Sequence, residues 1–190
     1  MTTKNDTPKQ EKPKLISALW QYTLIVAIVF FFLLICPKFV YGSTLVDGAS
    51  MENTLHTNDR IFHEMISYRF HEPERFDVVQ LQSPVEEDTF WVKRIIGLPD
   101  ETIQIKNGTI YINNKKLKND TYGNAPIDYA GIAEKTYKIP EGHYFLMGDN
   151  RKSDISWDSR YEEIGAIPRE NILAKLIFRY YPFNQIGTIN

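Results

Sequence analysis

The sequence predicts a mostly β domain preceded by a single membrane-spanning helix. Three observations carry this reading. An uncharged apolar run, LISALWQYTLIVAIVFFFLLI, occupies residues 15–35. The chain after it breaks into short stretches rich in β-formers, separated by Gly, Pro and Asn-Gly signals. Among them, ETIQIKNGTIYINNKKL over 101–117 alternates apolar and polar residues on both sides of Asn107-Gly108, the pattern of a two-residue hairpin with a type I′ turn. Composition sets further bounds. The 190 residues suffice for one domain with a sizeable core. A net charge of −2 argues against a nucleic-acid surface. The single cysteine, Cys36, excludes an internal disulfide framework and a Cys-cluster zinc site. The four histidines (His56, His63, His71 and His143) show no metal-ligand spacing, so neither a metal nor a cofactor is expected.

As a helix, residues 15–35 would be roughly 32 Å long, enough for a hydrocarbon core of roughly 30 Å. Lys14 and Lys38 bracket the run, and Trp20 and Tyr22 suit a membrane interface. The competing reading is a cleaved leader. The run is long for that, and Cys-Pro-Lys follows it rather than a small-residue cleavage site. LLIC is superficially like a lipoprotein cleavage site, but Ile35 stands where a small residue would precede the Cys. An uncleaved anchor is therefore expected. Lys4, Lys9, Lys12 and Lys14 precede it and only Lys38 follows closely, which places the N-terminus in the cytoplasm. The expected organisation is a cytoplasmic tail over 1–14, a transmembrane helix over 15–35 and an extracytoplasmic β-rich domain over 39–190.

Within that domain, strands are expected at DVVQLQ (77–82), FWVKRIIG (90–97), HYFLMG (143–148) and LAKLIFRYYP (173–182), beside the hairpin. Residues 119–138 are polar, with Gly123, Pro126 and Gly131, and read as an exposed insertion. Many short strands with turn signals imply sheets that are partly closed.

Two residues raise a chemical question. Ser50 lies in GASMENTL between small residues and a methionine, and Lys93 lies in FWVKRIIG. In a strand, Lys93 shares a face with Trp91 and Ile95, while Phe90, Val92, Arg94 and Ile96 make up the other. One reading lets the lysine snorkel its ammonium to water. The other leaves it desolvated, with a lowered pKa and a neutral amine able to act as a general base. Ser50 is either a turn residue or a nucleophile, and a nucleophile needs an adjacent base and a donor for the oxyanion.

The order of motifs along the chain adds a resemblance to these readings. An anchor, an SM-containing turn, a β segment, KRIIGLP, GDNR and then DSR follow one another along the chain. This order resembles the type I signal peptidases, membrane-anchored serine proteases that remove signal peptides from exported proteins, in the compact single-anchor form common in Gram-positive bacteria. The resemblance implies a signal-peptidase-like catalytic domain. Residue by residue, Ser50 matches the nucleophile and Lys93 the general base of a Ser–Lys dyad. Met51 matches the residue beside the pocket for small substrate side chains. Ser156 of SWDSR matches the serine that orients the lysine. Asp158 and Arg160 would form a structural ion pair, and Asp149 and Asn150 of GDNR would hold the same loop. The oxyanion would rest on backbone N–H groups, those of Ser50 and Gly48.

Four departures stand out. Asn53 replaces a usual Pro, and Asp100 of LPDE replaces a usual Gly. Gly48 occupies a position that is a serine in some relatives, and six residues rather than four separate Arg151 from Asp158. The insertion leaves Ser153 as a rival to Ser156.

The resemblance implies an endopeptidase on the outer membrane face that cuts after small residues at Ala-x-Ala-like sites, without a cofactor. Its partners would be signal peptides of exported preproteins and the lipid bilayer, with proximity to the protein export channel and no nucleic acid. The fourteen residues between Ile35 and Ser50 span at most roughly 50 Å when extended, which keeps the site near the bilayer. The alternatives are a specialised Ser–Lys processing protease with few substrates, a catalytically silent relative that binds export substrates, and a Ser–His–Asp hydrolase.

Overall fold

The computed structural model describes residues 14–189, with side chains described for 19–32 and from 41 onward. The chain divides into two units, 1–39 and 40–190. The helix α1 runs Lys14–Val40 and lies in the first unit except for its last residue. Among the described residues no helix is long and apolar enough to cross a membrane. The stretch of α1 with described side chains, 19–32, is shorter than the roughly 20 residues a span needs. The expected span over 15–35 therefore stays a proposal, and the tail over 1–14 lies outside the described residues except for Lys14.

The second unit is β-rich. Its strands are β1 Tyr41–Leu45, β2 Arg60–Glu64, β3 Val78–Gln82, β4 Phe90–Gly97, β5 Thr102–Lys106, β6 Thr109–Ile112, β7 Lys115–Lys116, β8 Tyr137–Lys138, β9 His143–Met147, β10 Ile167–Pro168, β11 Ile172–Tyr181 and β12 Gly187–Thr188. The strands expected near 77–82, 90–97, 143–148 and 173–182 are β3, β4, β9 and β11. The hairpin is β5–β6, with Asn107 at φ 48° and Gly108 at φ 73°, the double positive φ of a type I′ turn.

Eight strands form one sheet in the order β1-β2-β11-β3-β4-β9-β10, with β12 beside β11, and a second sheet runs β7-β6-β5-β8. The expectation of partly closed sheets meets an open strand order with β1 and β10 at its ends. The strands β1 and β2 were not foreseen, because YGSTL and RIFHE are too short and mixed to show a period.

Apolar packing falls into three clusters. Ile103, Ile105, Ile110 and Ile112 of the hairpin pack with Ile96, Phe145 and Met147. Val79, Leu81, Ile95, Tyr144 and Leu146 form a second cluster. Met51, Leu55, Ile61, Val78 and Leu176 form a third, beneath the Ser50 turn.

The segment 119–138 corrects the sequence reading. It is not simply an exposed insertion, because Ile127 and Ala133 are buried in the hairpin's core. Its first half also straps the loops that carry the GDNR motif. Asp120 takes a bidentate pair from Arg151 at 2.7 and 2.9 Å. Asn124 accepts from Arg151 N–H and donates its own N–H to Asp149, and Tyr122 lays its ring 3.6 Å from the Arg94 guanidinium. These polar residues looked solvated in the sequence because their partners lie far along the chain.

Candidate active site

The strand β4 presents Lys93 on one face and Arg94 on the other, as the alternation requires. Lys93 is only 5% exposed, opposite Val79 of β3. Its ammonium makes no salt bridge or hydrogen bond among the described residues, and it sits 5.6 Å from the Trp91 ring centroid. Burial lowers its pKa to about 8; the carboxylates of Asp158 and Asp149 oppose this, while Arg160 adds to it. Every side-chain polar atom sealed from solvent has a partner among the described residues. The unpartnered Lys93 amine therefore opens onto space, and that space is a cavity of about 350 Å³.

Ser50 and Met51 line the same cavity, with Thr44, Gln80, Val92 and Trp157 among its other walls. None of the four histidines lines it, which removes the support for a Ser–His–Asp site. Ser50 sits in a tight turn after β1, closed by Glu52 N–H to Ala49 C=O and by Leu55 N–H to Met51 C=O. Gly48 enters the turn at φ +102°, a conformation that favours glycine. Met51 is 1% exposed and anchors the turn in the third apolar cluster. The Ser50 hydroxyl makes no hydrogen bond to Lys93. Its backbone N–H has no acceptor among the described residues and is free to donate. Gly48 differs: its N–H donates to Thr57 Oγ1 at 3.2 Å.

The loop after β9 clamps this turn from below. Asn150 donates its N–H to Ser50 C=O at 3.0 Å and its carboxamide to Ala49 C=O at 3.2 Å. A Cβ on Gly148 would collide with both the Ser50 carbonyl oxygen and the Ser156 hydroxyl. Glycine there lets Ser50 and Ser156 approach the same point of the backbone from two sides.

Ser156 is fully buried, and its hydroxyl donates to Asp158 Oδ2 at 2.8 Å rather than to Lys93. Asp158 also accepts from Gly148 N–H at 3.1 Å and pairs with Arg160 at 2.8 Å, both side chains having no exposure. Arg160 goes on to donate to the carbonyls of Arg151 and Tyr129. Ser153 faces elsewhere: its N–H and hydroxyl both reach Asp128.

Asp149 has a partner that sequence reasoning did not assign. Arg94 donates to both its oxygens at 2.8 and 2.7 Å, with no exposure on either side chain. Thr54 donates to Asp149 Oδ2, and Arg94 also donates to Phe76 C=O. The signal was available: an arginine inside an apolar strand needs a buried anion, and GDNR supplies one. Two departures from the motif are absorbed by backbone geometry. Asp100 adopts φ 65° where the usual residue is Gly, and Asn53 adopts φ 98° while its carboxamide donates to Tyr122 C=O at 3.0 Å.

Comparison with known proteins places this architecture. The family described as signal peptidase, peptidase S26, matches residues 19–181. Signal peptidase I S of Bacillus subtilis is 34% identical over 90% of this chain and 92% of its own length. Signal peptidase I of Bacillus licheniformis is 35% identical over 88% of this chain and 90% of its own. A crystal structure of a signal peptidase I from Enterococcus faecalis aligns with TM-score 0.45 at 30% identity, covering 56% of this chain and 97% of that one. The chain belongs to the signal peptidase family, peptidase S26, and is a serine endopeptidase of that family.

Proposed function

We propose that this protein removes N-terminal signal peptides from exported preproteins by a Ser–Lys dyad, cutting after small residues at Ala-x-Ala-like sites. One observation carries the reading: a buried lysine without a counter-ion shares a cavity with Ser50. Neutral Lys93 takes the proton of the Ser50 hydroxyl, and Oγ attacks the scissile carbonyl. The Ser50 N–H faces the developing oxyanion. Lys93 then protonates the departing amine, leaving an acyl-enzyme. Lys93 next takes a proton from water, which attacks the ester, and passes it to the departing Ser50 Oγ, so that the acid is released and both the hydroxyl and the neutral amine are restored. The missing Ser50–Lys93 hydrogen bond is no obstacle, since such contacts tighten when substrate binds. Ser156 positions Lys93 through the Asp158–Arg160 pair, and the Met51 wall admits only small side chains.

The helix α1 anchors the enzyme, with the N-terminus cytoplasmic and residues 39–190 on the outer face. Exposed apolar side chains such as Phe30, Phe31 and Phe32 support this, since water penalises them and lipid does not.

The deciding experiment offers a preprotein to the purified full chain and locates the cut by N-terminal sequencing. A single cut after a small residue is expected, absent with Ser50→Ala. No cut, or one that survives that substitution, rejects the reading. Protease added to wall-less cells should digest residues 39–190; digestion of the tail alone would reverse the topology.

A further inference from the structure

The walls of the Ser50 cavity are of two kinds. Near the turn they are apolar, with Met51 and Val92 packed in the third cluster. Farther along β1 and β3 they turn polar, because Thr44 and Gln80 both line the cavity. These two side chains are not solvated decoration. Thr44 Oγ1 donates to Gln80 Oε1 at 3.0 Å and lies 2.7 Å from His63 Nδ1. A hydroxyl has one proton, so once it is given to Gln80 the His63 contact must be an Nδ1–H donating to Thr44. Burial lowers the His63 pKa, which keeps its ring neutral near pH 7 and leaves only one nitrogen protonated.

The fold makes room for this relay. Gly42 faces His63 across the β1–β2 pair, and any side chain there would strike the imidazole. Gln80 pairs with the small Ala174 of β11, and His63 pairs with Leu176 of the same strand. A line of three polar groups thus crosses β11 on an otherwise apolar floor and ends on the Gln80 carboxamide. Its oxygen is occupied by Thr44. Its nitrogen has no acceptor among the described residues, and since every sealed polar side-chain atom has a partner, that nitrogen is open to solvent on a residue that lines the cavity.

We propose that the Gln80 carboxamide, oriented by Thr44 and His63, selects a hydroxyl-bearing side chain two residues before the residue at which the substrate is cut. This rests on the signal-peptide-cleaving reading above and narrows its substrate class. In an extended peptide, the residue at the cut and the one two positions earlier face the same wall, about 6.6 Å apart. The first meets the apolar wall beside Ser50, and the second meets Thr44 and Gln80. A valine there would cover the Gln80 N–H group and leave it unpaired, which is costly. A threonine has the same shape and supplies the missing acceptor.

The test uses preproteins identical except at that position, which carries Ala, Thr or Val. The readout is the Thr-to-Val ratio of kcat/KM, which does not depend on how much of a preparation is folded. With the wild-type full chain the ratio should be about ten. Gln80→Leu should bring it to one or below, and Thr44→Val, which frees the carboxamide to turn, should lower it as well. If Gln80→Leu gives no active enzyme, Thr44→Val decides. A wild-type ratio of one or less overturns the proposal, as does a ratio unchanged in the active variants. Failure to cut even the Ala preprotein would instead remove the signal-peptide reading, and this inference with it.

Discussion

On one face of β4 the Lys93 side chain is buried with no salt bridge; one residue along, on the other face, Arg94 is buried with one guanidinium edge, Nε and Nη2, on the two oxygens of Asp149. Both side chains are largely removed from water, yet their environments do opposite things. Around Arg94, Thr54, Phe76 and Tyr122 complete a satisfied network that ties β4 to the loop after β9. Around Lys93 the fields of Asp158 and Asp149 offset only part of the lost hydration and no carboxylate pairs directly with the ammonium, so the amine gives up its proton more readily, with a pKa of about 8. The guanidinium could not play that part, since it is not deprotonated in proteins. A buried cation with its anion holds the scaffold together. A buried cation without one is a base, and the fold bears its cost.

The largest expected effect breaks the reactive face. Ser50→Ala and Lys93→Ala should each reduce cleavage to background while the domain stays folded, because a dyad acts as a unit. Lys93→Arg should be equally inactive. Turnover of a folded Lys93→Ala protein well above background would end the dyad assignment.

The next effect breaks the structural face. Asp149→Ala leaves the Arg94 charge buried and unpaired, at a cost of about 3–5 kcal/mol. Thermal unfolding should show a drop in Tm of roughly 6–20 °C. The double replacement Arg94→Met with Asp149→Leu should recover part of that loss. Additive losses would mean that the pair is not the coupled unit its geometry describes.

Lys93→Met sharpens the contrast, since it should inactivate the enzyme and stabilise it. In the folded state Lys93 loses its proton at about 8, and in the unfolded chain at 10.5. Between these values the unfolded state binds more protons, so stability rises with pH there. Below about 8 both states are protonated and the folded state carries the full penalty, on the order of 3 kcal/mol. Chemical denaturation at pH 7 should show Lys93→Met more stable by up to that amount, with the gain shrinking toward pH 10. The kcat/KM of the wild type should rise with pH to a plateau above about 8, as the neutral amine accumulates.

The smallest effects concern the two serines of the longer loop. Ser156→Ala should cut turnover by about tenfold or more, within the general-base positioning range, since Ser156 lies between Gly148 and Asp158 beside the lysine's charged neighbours. Ser153→Ala should be near neutral, because its contacts are with Asp128. The opposite ranking in a steady-state assay on one preprotein would transfer the positioning role to Ser153.

Much of the fold was legible because it is local. The β5–β6 hairpin announces itself through alternation and Asn107-Gly108, and β4 coincides with FWVKRIIG from first residue to last. The site was legible through its motifs, which put Ser50, Met51 and Lys93 on one list before the structure brought them to one cavity. Segment 119–138 was misjudged because its polar residues, Asp120 and Asn124, lie apart in sequence from Arg151 and Asp149, the residues they hold.

The sequence by itself determined the strand pattern, the turn chemistry and the serine and lysine types that acyl transfer requires, since each depends on neighbouring residues or on side-chain chemistry alone. Only the tertiary structure decided which buried charge is neutralised and which is not. Arg94 finds Asp149 across 55 positions, Gly148 lets Ser50 and Ser156 converge, and Thr44 links His63 to Gln80. Burial and pairing arise from contacts between distant segments, and they set the proton affinity of Lys93, which its neighbours in the chain cannot.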